Sequence, residues 1–176
     1  MASSRKKVIV RLEPDGAAAS IQTGYLAASR LLDAESGSLE LLDVAGRLVA
    51  IPLRRVRYVA YVRDFNLDDL ANPERLLRRV FLARPRTEGL WVRLTFLDGE
   101  VMEGLAGLDL SLIDDALQDK GVFLLPPDVR SNTQRLYVPR TSLSSLQVVG
   151  VVTTPSKGEK LKKAPRGDGT GNLFPS

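Results

Sequence analysis

Leu90-Trp91-Val92-Arg93-Leu94-Thr95-Phe96-Leu97-Asp98-Gly99-Glu100-Val101-Met102-Glu103 reads as a β-hairpin. Residues 90–96 alternate and are rich in β-branched and aromatic side chains, which suit a pleated, half-buried surface. Asp98-Gly99 supplies the turn, because glycine takes the positive φ that a type I′ turn demands. Residues 100–103 continue as the return strand. Working outward, 122–125 and 135–138 form another strand pair around a polar loop at 128–134, and 143–152 makes a last strand.

The same order of features occurs earlier in the chain. Val10-Arg11-Leu12, then Asp15-Gly16 and Gly24, parallels Val92-Arg93-Leu94, then Asp98-Gly99 and Gly104. Gly37-Ser38-Leu39-Glu40-Leu41-Leu42 parallels Gly121-Val122-Phe123-Leu124-Leu125, and each is followed by a polar turn. Ile51-Pro52 parallels Val138-Pro139, with Val56 and Val59 following the first proline as Leu143 and Leu146 follow the second. Five features in one order, at offsets near 80 to 87 residues, indicate an internal duplication. The prolines suit strand ends, where no ladder N–H is lost.

Five short, strongly bent strands describe a small open barrel, which avoids exposed edges by closing on itself. The expected fold is therefore mainly β: two tandem five-stranded open barrels, at 5–63 and 90–152, joined by a helical basic linker at 64–89 and followed by a disordered basic tail at 153–176. Asn72-Pro73-Glu74 has the signals of a helix start, and Leu76, Leu77, Val80 and Phe81 supply an apolar face, so a helix is predicted over 73–82, ended by Pro85. A second, shorter helix is predicted at 110–118. The tail, rich in Pro, Gly and Lys, lacks any periodicity.

Composition removes whole classes of function. The chain has no cysteine and no histidine. Disulfides, thiolate and imidazole zinc sites, and Ser-His or Cys-His catalytic pairs are excluded. No Walker loop or dinucleotide-binding glycine motif is present. The adjacent pairs Asp68-Asp69 and Asp114-Asp115 point apart and read as loop or helix-start residues. Asp98, Glu100 and Glu103 read as exposed turn chemistry. No catalytic residue, metal or cofactor is expected. The apolar run Val8-Ile9-Val10 is too short for a signal peptide or a membrane span, and the protein reads as cytoplasmic. The net charge of +4 comes from the ends: Arg5, Lys6 and Lys7, and a tail with five basic against two acidic residues. The body between them is slightly acidic, so no dedicated nucleic-acid surface is indicated.

The strongest candidate for binding is the linker, where Arg75, Arg78, Arg79, Arg84 and Arg86 fall in a stretch without an acid. Arginines there can hold phosphate bidentately, or pair with acids of the body. Trp91 and Tyr137 can be stacking platforms or, more commonly for such residues, core. Arg75 and Arg79 form an R-x-x-x-R segment, followed by Asp109-Leu110-Ser111. This order resembles the PilZ family of bacterial barrels that bind cyclic di-GMP. The resemblance implies a dinucleotide site of Arg75, Arg79, Asp109 and Ser111. Asp114 stands where that family has its motif glycine, and a carboxylate there would strain the backbone and repel phosphate. More widely, 59–66, 91–104 and 121–151 resemble an uncharacterised family of bacterial duplicated small barrels, Sm-like or PilZ-like, through a run beginning Gly121-Val122-Phe123-Leu124-Leu125-Pro126-Pro127. That resemblance implies a bacterial source and a fold, and no activity. The expected function is a non-enzymatic interaction or regulatory module with a protein partner. The alternatives are a cyclic di-GMP receptor, and RNA or other nucleic-acid binding through the linker and termini.

Overall fold

The Asp98-Gly99 hairpin forms, but with a three-residue loop in place of the expected type I′ turn: Asp98 is not at positive φ, and the Phe96 N–H donates to the Glu100 carbonyl across residues 97–99. Gly99 sits at φ 86° and its N–H donates to the Phe96 carbonyl at 3.0 Å. The structure, a computed structural model, describes residues 4–14, 21–27, 37–109, 111–112, 118, 120–128 and 130–153. Its strands are β1 (Arg5–Leu12), β2 (Ile21–Ala27), β3 (Ser38–Asp43), β4 (Leu48–Pro52), β5 (Val56–Val62), β6 (Gly89–Phe96), β7 (Val101–Ala106), β8 (Val122–Leu124), β9 (Thr133–Val138) and β10 (Leu143–Val152). No helix of the described residues is long and apolar enough to cross a membrane.

One antiparallel sheet has the order β4-β3-β2-β1-β5-β9-β8, and a second has β10-β6-β7. Reciprocal hydrogen bonds of 3.0 and 2.9 Å between Leu105 and Leu125 link β7 to the end of β8. Each half therefore repeats one connectivity: a meander of four strands, with the fifth returning to pair with the first. Both fifth strands begin after a proline and a 3₁₀ turn, Leu53–Arg55 or Arg140–Ser142. Both also carry a bulge one step in, with Arg57 and Ser144 the unpaired residues.

Register refines the sequence match. Val8 lies opposite Gly24, and Val92 lies opposite Gly104. Val10 pairs with Val59, and Leu94 pairs with Leu146. So Val10 corresponds to Leu94, two residues further along than the Val-Arg-Leu motif suggests. A slip of two keeps every side chain on its face, which is why pattern alone could not reveal it. The paired glycines have a steric cause. A Cβ on Gly24 would lie 2.4 Å from the Leu42 carbonyl oxygen, and one on Gly104 would lie 2.9 Å from that of Leu125. In both halves the second strand crosses the third too closely for a side chain.

Two expectations are corrected. The sheets are not closed into two barrels. β5 has apolar residues on both faces: Val59 faces the first core with Val8 and Val10, while Tyr58, Ala60 and Val62 face the second with Val92, Leu94 and Met102. A strand that must be buried on both sides cannot close a small barrel of its own. It pairs with β9 and carries one sheet through both halves.

The linker is not a helix. Asn72 does cap one turn, accepting the Leu76 N–H at 3.2 Å and, through its carbonyl, the Arg75 N–H at 2.9 Å. Arg75 then takes φ 49°, in the left-handed region, and the turn ends. Tertiary partners take over the backbone groups. The Glu103 N–H donates to the Arg79 carbonyl at 2.6 Å, and the Phe81 N–H donates to the Glu103 carboxylate at 3.0 Å. Asp15-Gly16, Asp114-Asp115 and the tail beyond 153 lie outside the described residues, as does most of 110–118.

Candidate functional site

The linker is laid across the sheets by two buried carboxylates. Glu74, 1% exposed, accepts hydrogen bonds from Arg11 Nε and the Tyr58 hydroxyl, each at 2.7 Å. Burial and the Glu74 charge push the Tyr58 hydroxyl well above its ordinary pKa. Glu103, 2% exposed, accepts from Arg93 Nε and Nη2 at 2.9 and 2.6 Å, from Trp91 Nε1 at 3.1 Å and from the Phe81 N–H. Burial alone would raise its pKa. The Phe81 N–H, Arg93 and Trp91 outweigh that and hold it below the ordinary carboxylate value. The expectation that Glu103 is exposed turn chemistry is therefore overturned. Asp98 and Glu100 do lie in the turn, where both pair with the buried Arg57.

These anchors fix where the linker arginines go. Arg79 is half-buried and ion-pairs with Glu100. Arg75 is exposed beside its left-handed turn. Arg78, Arg84 and Arg86 converge on a cleft of about 350 Å³ between residues 78–87 and Leu105, Pro126 and Pro127. Its apolar lining includes Val80, Phe81, Leu82 and Pro85, and no carboxylate lines it. Arg84 Nη2 also donates to the Val151 carbonyl at 3.3 Å, tying the linker to β10.

Asp109 and Ser111 lie elsewhere. They hydrogen-bond to each other and line a cleft of about 470 Å³ with Glu88, Phe123 and Arg135. None of the five linker arginines lines that cleft. The four residues implied by the PilZ resemblance are thus divided: Arg79 is held by Glu100, Arg75 faces solvent, and Asp109 with Ser111 faces a different cavity.

Trp91 and Tyr137 take core roles. Trp91 is half-buried against Phe81 with its indole N–H on Glu103, and Tyr137 is fully buried with its hydroxyl on the Lys120 carbonyl. Among the described residues no group of three or more carboxylates is placed to hold a metal.

Sequence reasoning missed Pro126 and Pro127 as a cleft wall and Leu82, 77% exposed, as its rim. An apolar residue between arginines was the available signal, and it was absorbed into the predicted helix. No curated protein and no solved structure matches the chain. Residues 4–150, spanning the strands from β1 almost to the end of β10, match the model of a family of unknown function, DUF6982, and the chain belongs to that family.

Proposed function

We propose that the protein is a non-enzymatic interaction module whose arginine cleft receives an acidic segment of a protein partner. The observation that carries this reading is the convergence of Arg78, Arg84 and Arg86 on one cleft with an apolar floor and no acid of its own. Cations gathered without counter-charge repel one another, so an anionic guest is favoured. Guanidinium forks hold carboxylates bidentately. Leu77, Val80 and Leu82 are 74%, 41% and 77% exposed, and arginine with exposed apolar side chains is the composition of interface centres. The rigid anchoring of the linker by Glu74 and Glu103 presents this surface without ordering cost at the moment of binding.

A photo-crosslinker placed at Leu82, followed by mass spectrometry, tests the reading. Crosslinks to one acidic, apolar-containing segment are expected, lost in Arg78→Ala/Arg84→Ala/Arg86→Ala. Crosslinks unchanged in that variant would defeat the proposal. Displacement of the crosslinked segment by cyclic di-GMP, or by RNA at low salt, would instead favour a nucleotide occupant.

A further inference from the structure

A second basic site shares no residue with the arginine cleft. Lys6 and Lys7 open β1, Tyr61 lies on β5, Phe123 on β8 and Arg135 on β9. Register brings them together: Val8 pairs with Tyr61, Tyr61 pairs with Arg135, and Phe123 pairs with Tyr137 two residues along. With Val62, Leu125 and Gln134 they line a groove of about 430 Å³ without a carboxylate, and Phe123, Leu125 and Arg135 separate it from the cleft that holds Glu88 and Asp109.

The groove is pre-organised. The Arg135 guanidinium lies over the Phe123 ring, 4.0 Å from its centroid, and the Tyr137 ring lies 5.0 Å from Phe123. Tyr137, Phe123 and Arg135 are therefore in contact in that order, the two rings tilted 46° to each other, and Arg135 is exposed. A guanidinium packed over a ring offers its outer face to a planar group and N–H groups to an oxyanion. Lys6 adds a point charge at one side, while the Lys7 ammonium lies over the Phe65 ring, 5.6 Å from its centroid.

We infer that this groove binds single-stranded nucleic acid. Phosphates lie against Lys6 and Arg135, and a base stacks on the Arg135 plane with the Gln134 amide able to meet its edge. An acidic peptide would satisfy the charges and leave the stacking face unused. A duplex would keep its bases stacked on each other and could not reach that face. The slightly acidic body hid this site in the sequence, because its two cations, Lys6 and Arg135, lie far apart in the chain.

Fluorescence anisotropy with a labelled oligouridylate about twelve nucleotides long tests the inference on the full chain. Binding should exceed that to a duplex of equal length. Its logarithm should fall with log salt at a slope of about −1.4, near −0.7 for each of two phosphates. Arg135→Ala should weaken binding about tenfold or more, the loss of one stacked base. Arg135→Lys keeps the charge and loses the plane, so it should retain the slope and still lose affinity. Lys6→Ala should flatten the slope. No binding at low salt would overturn the inference. So would Arg135→Lys binding like wild type, or displacement by oligoglutamate as effective as by oligouridylate. Loss on Arg84→Ala with none on Arg135→Ala would assign nucleic acid to the arginine cleft instead. Only that last outcome bears on the crosslinking reading at Leu82; the others leave it untouched.

Discussion

The two fifth strands, β5 and β10, occupy the same place in their halves and have opposite fates. On β5 the outward residues Tyr58, Ala60 and Val62 are buried, at 0%, 0% and 5% exposure. Register makes the counterparts of Tyr58 and Ala60 on β10 Ser145 and Gln147, both exposed, and a second bulge leaves Val149, also exposed, unpaired beyond them. The bulge residues differ in the same sense. Arg57 reaches out of β5 to Glu13, Asp98 and Glu100, clamping the second half's hairpin, and it lies over the Phe96 ring, 4.3 Å from its centroid. Ser144 bonds only to the carbonyls of Thr95 and Phe96 beside it. Duplication supplied two equivalent surfaces. One became the seam between the halves and the other was made polar.

The largest test of this contrast gives β5 the residue that β10 carries. Tyr58→Ser removes a fully buried ring from the seam and leaves Glu74 without one of its donors. It should cost about 4 kcal/mol in denaturant unfolding, as large aromatic truncations in cores do. Ser145→Ala at the matching site should change stability by less than about 0.5 kcal/mol. Equal effects would mean that the seam is not where the stability of the first half is lodged.

A smaller effect is expected where the halves agree. Gly24→Ala places a Cβ against a backbone oxygen 2.4 Å away and should destabilise by about 2–3 kcal/mol. Gly104→Ala meets the Leu124 Cβ and the Leu125 oxygen, each at 2.9 Å, and should cost less, about 1–2 kcal/mol. Chemical denaturation of both variants measures the order. The reverse order would place the tighter crossing in the second half.

Below these comes a contrast on the second strands. Glu103 corresponds to Thr23, and its partner Arg93 corresponds to Ile9. The second half thus has an ion pair where the first has an uncharged pair. Because the folded Glu103 carboxyl has a lowered pKa, it contributes stability that is complete above its unfolded value, near 4.5, and is lost as pH falls through the folded value. Glu103→Gln should cost about 1–2 kcal/mol at pH 7 and leave a shallower fall in stability on the acid side. A melting profile in acid that is unchanged by the substitution would remove Glu103 from that account.

The strands were legible because alternation, Asp98-Gly99 and the two prolines are local signals. The helix prediction failed because Asn72-Pro73-Glu74 describes only a first turn. Beyond that turn the path of the linker was decided by Arg11, Tyr58 and Glu103, each far away in sequence. Closure into two barrels failed for a similar reason. The apolar outer face of β5 is visible in the alternation-free run 58–62, but which element covers it is not. The binding surfaces show the same limit. The arginine cleft lies within a linker already marked as basic. The Lys6–Arg135 groove joins residues from both ends of the chain and could be seen only through register.

The smallest expected change in stability comes from giving β10 the face of β5. Ser145→Tyr with Gln147→Ala places an aromatic ring and a small apolar residue on an exposed strand that already shows Val148 and Val151 at about half exposure. Within one molecule nothing is buried by this change, so unfolding free energy should move by less than about 0.5 kcal/mol. The surface, however, becomes a copy of one that already docks onto a second half, with a β9-like edge required to receive it. In the same chain the corresponding edge is β4, whose Leu48 is 69% exposed. A head-to-tail contact of this kind does not close on itself in a pair, so the variant should form concentration-dependent, larger species in sedimentation velocity where wild type gives smaller ones. If the variant sediments like wild type, the apolar face is not sufficient. The Arg57 clamp, which Ser144 cannot replace, then becomes the element that makes the seam.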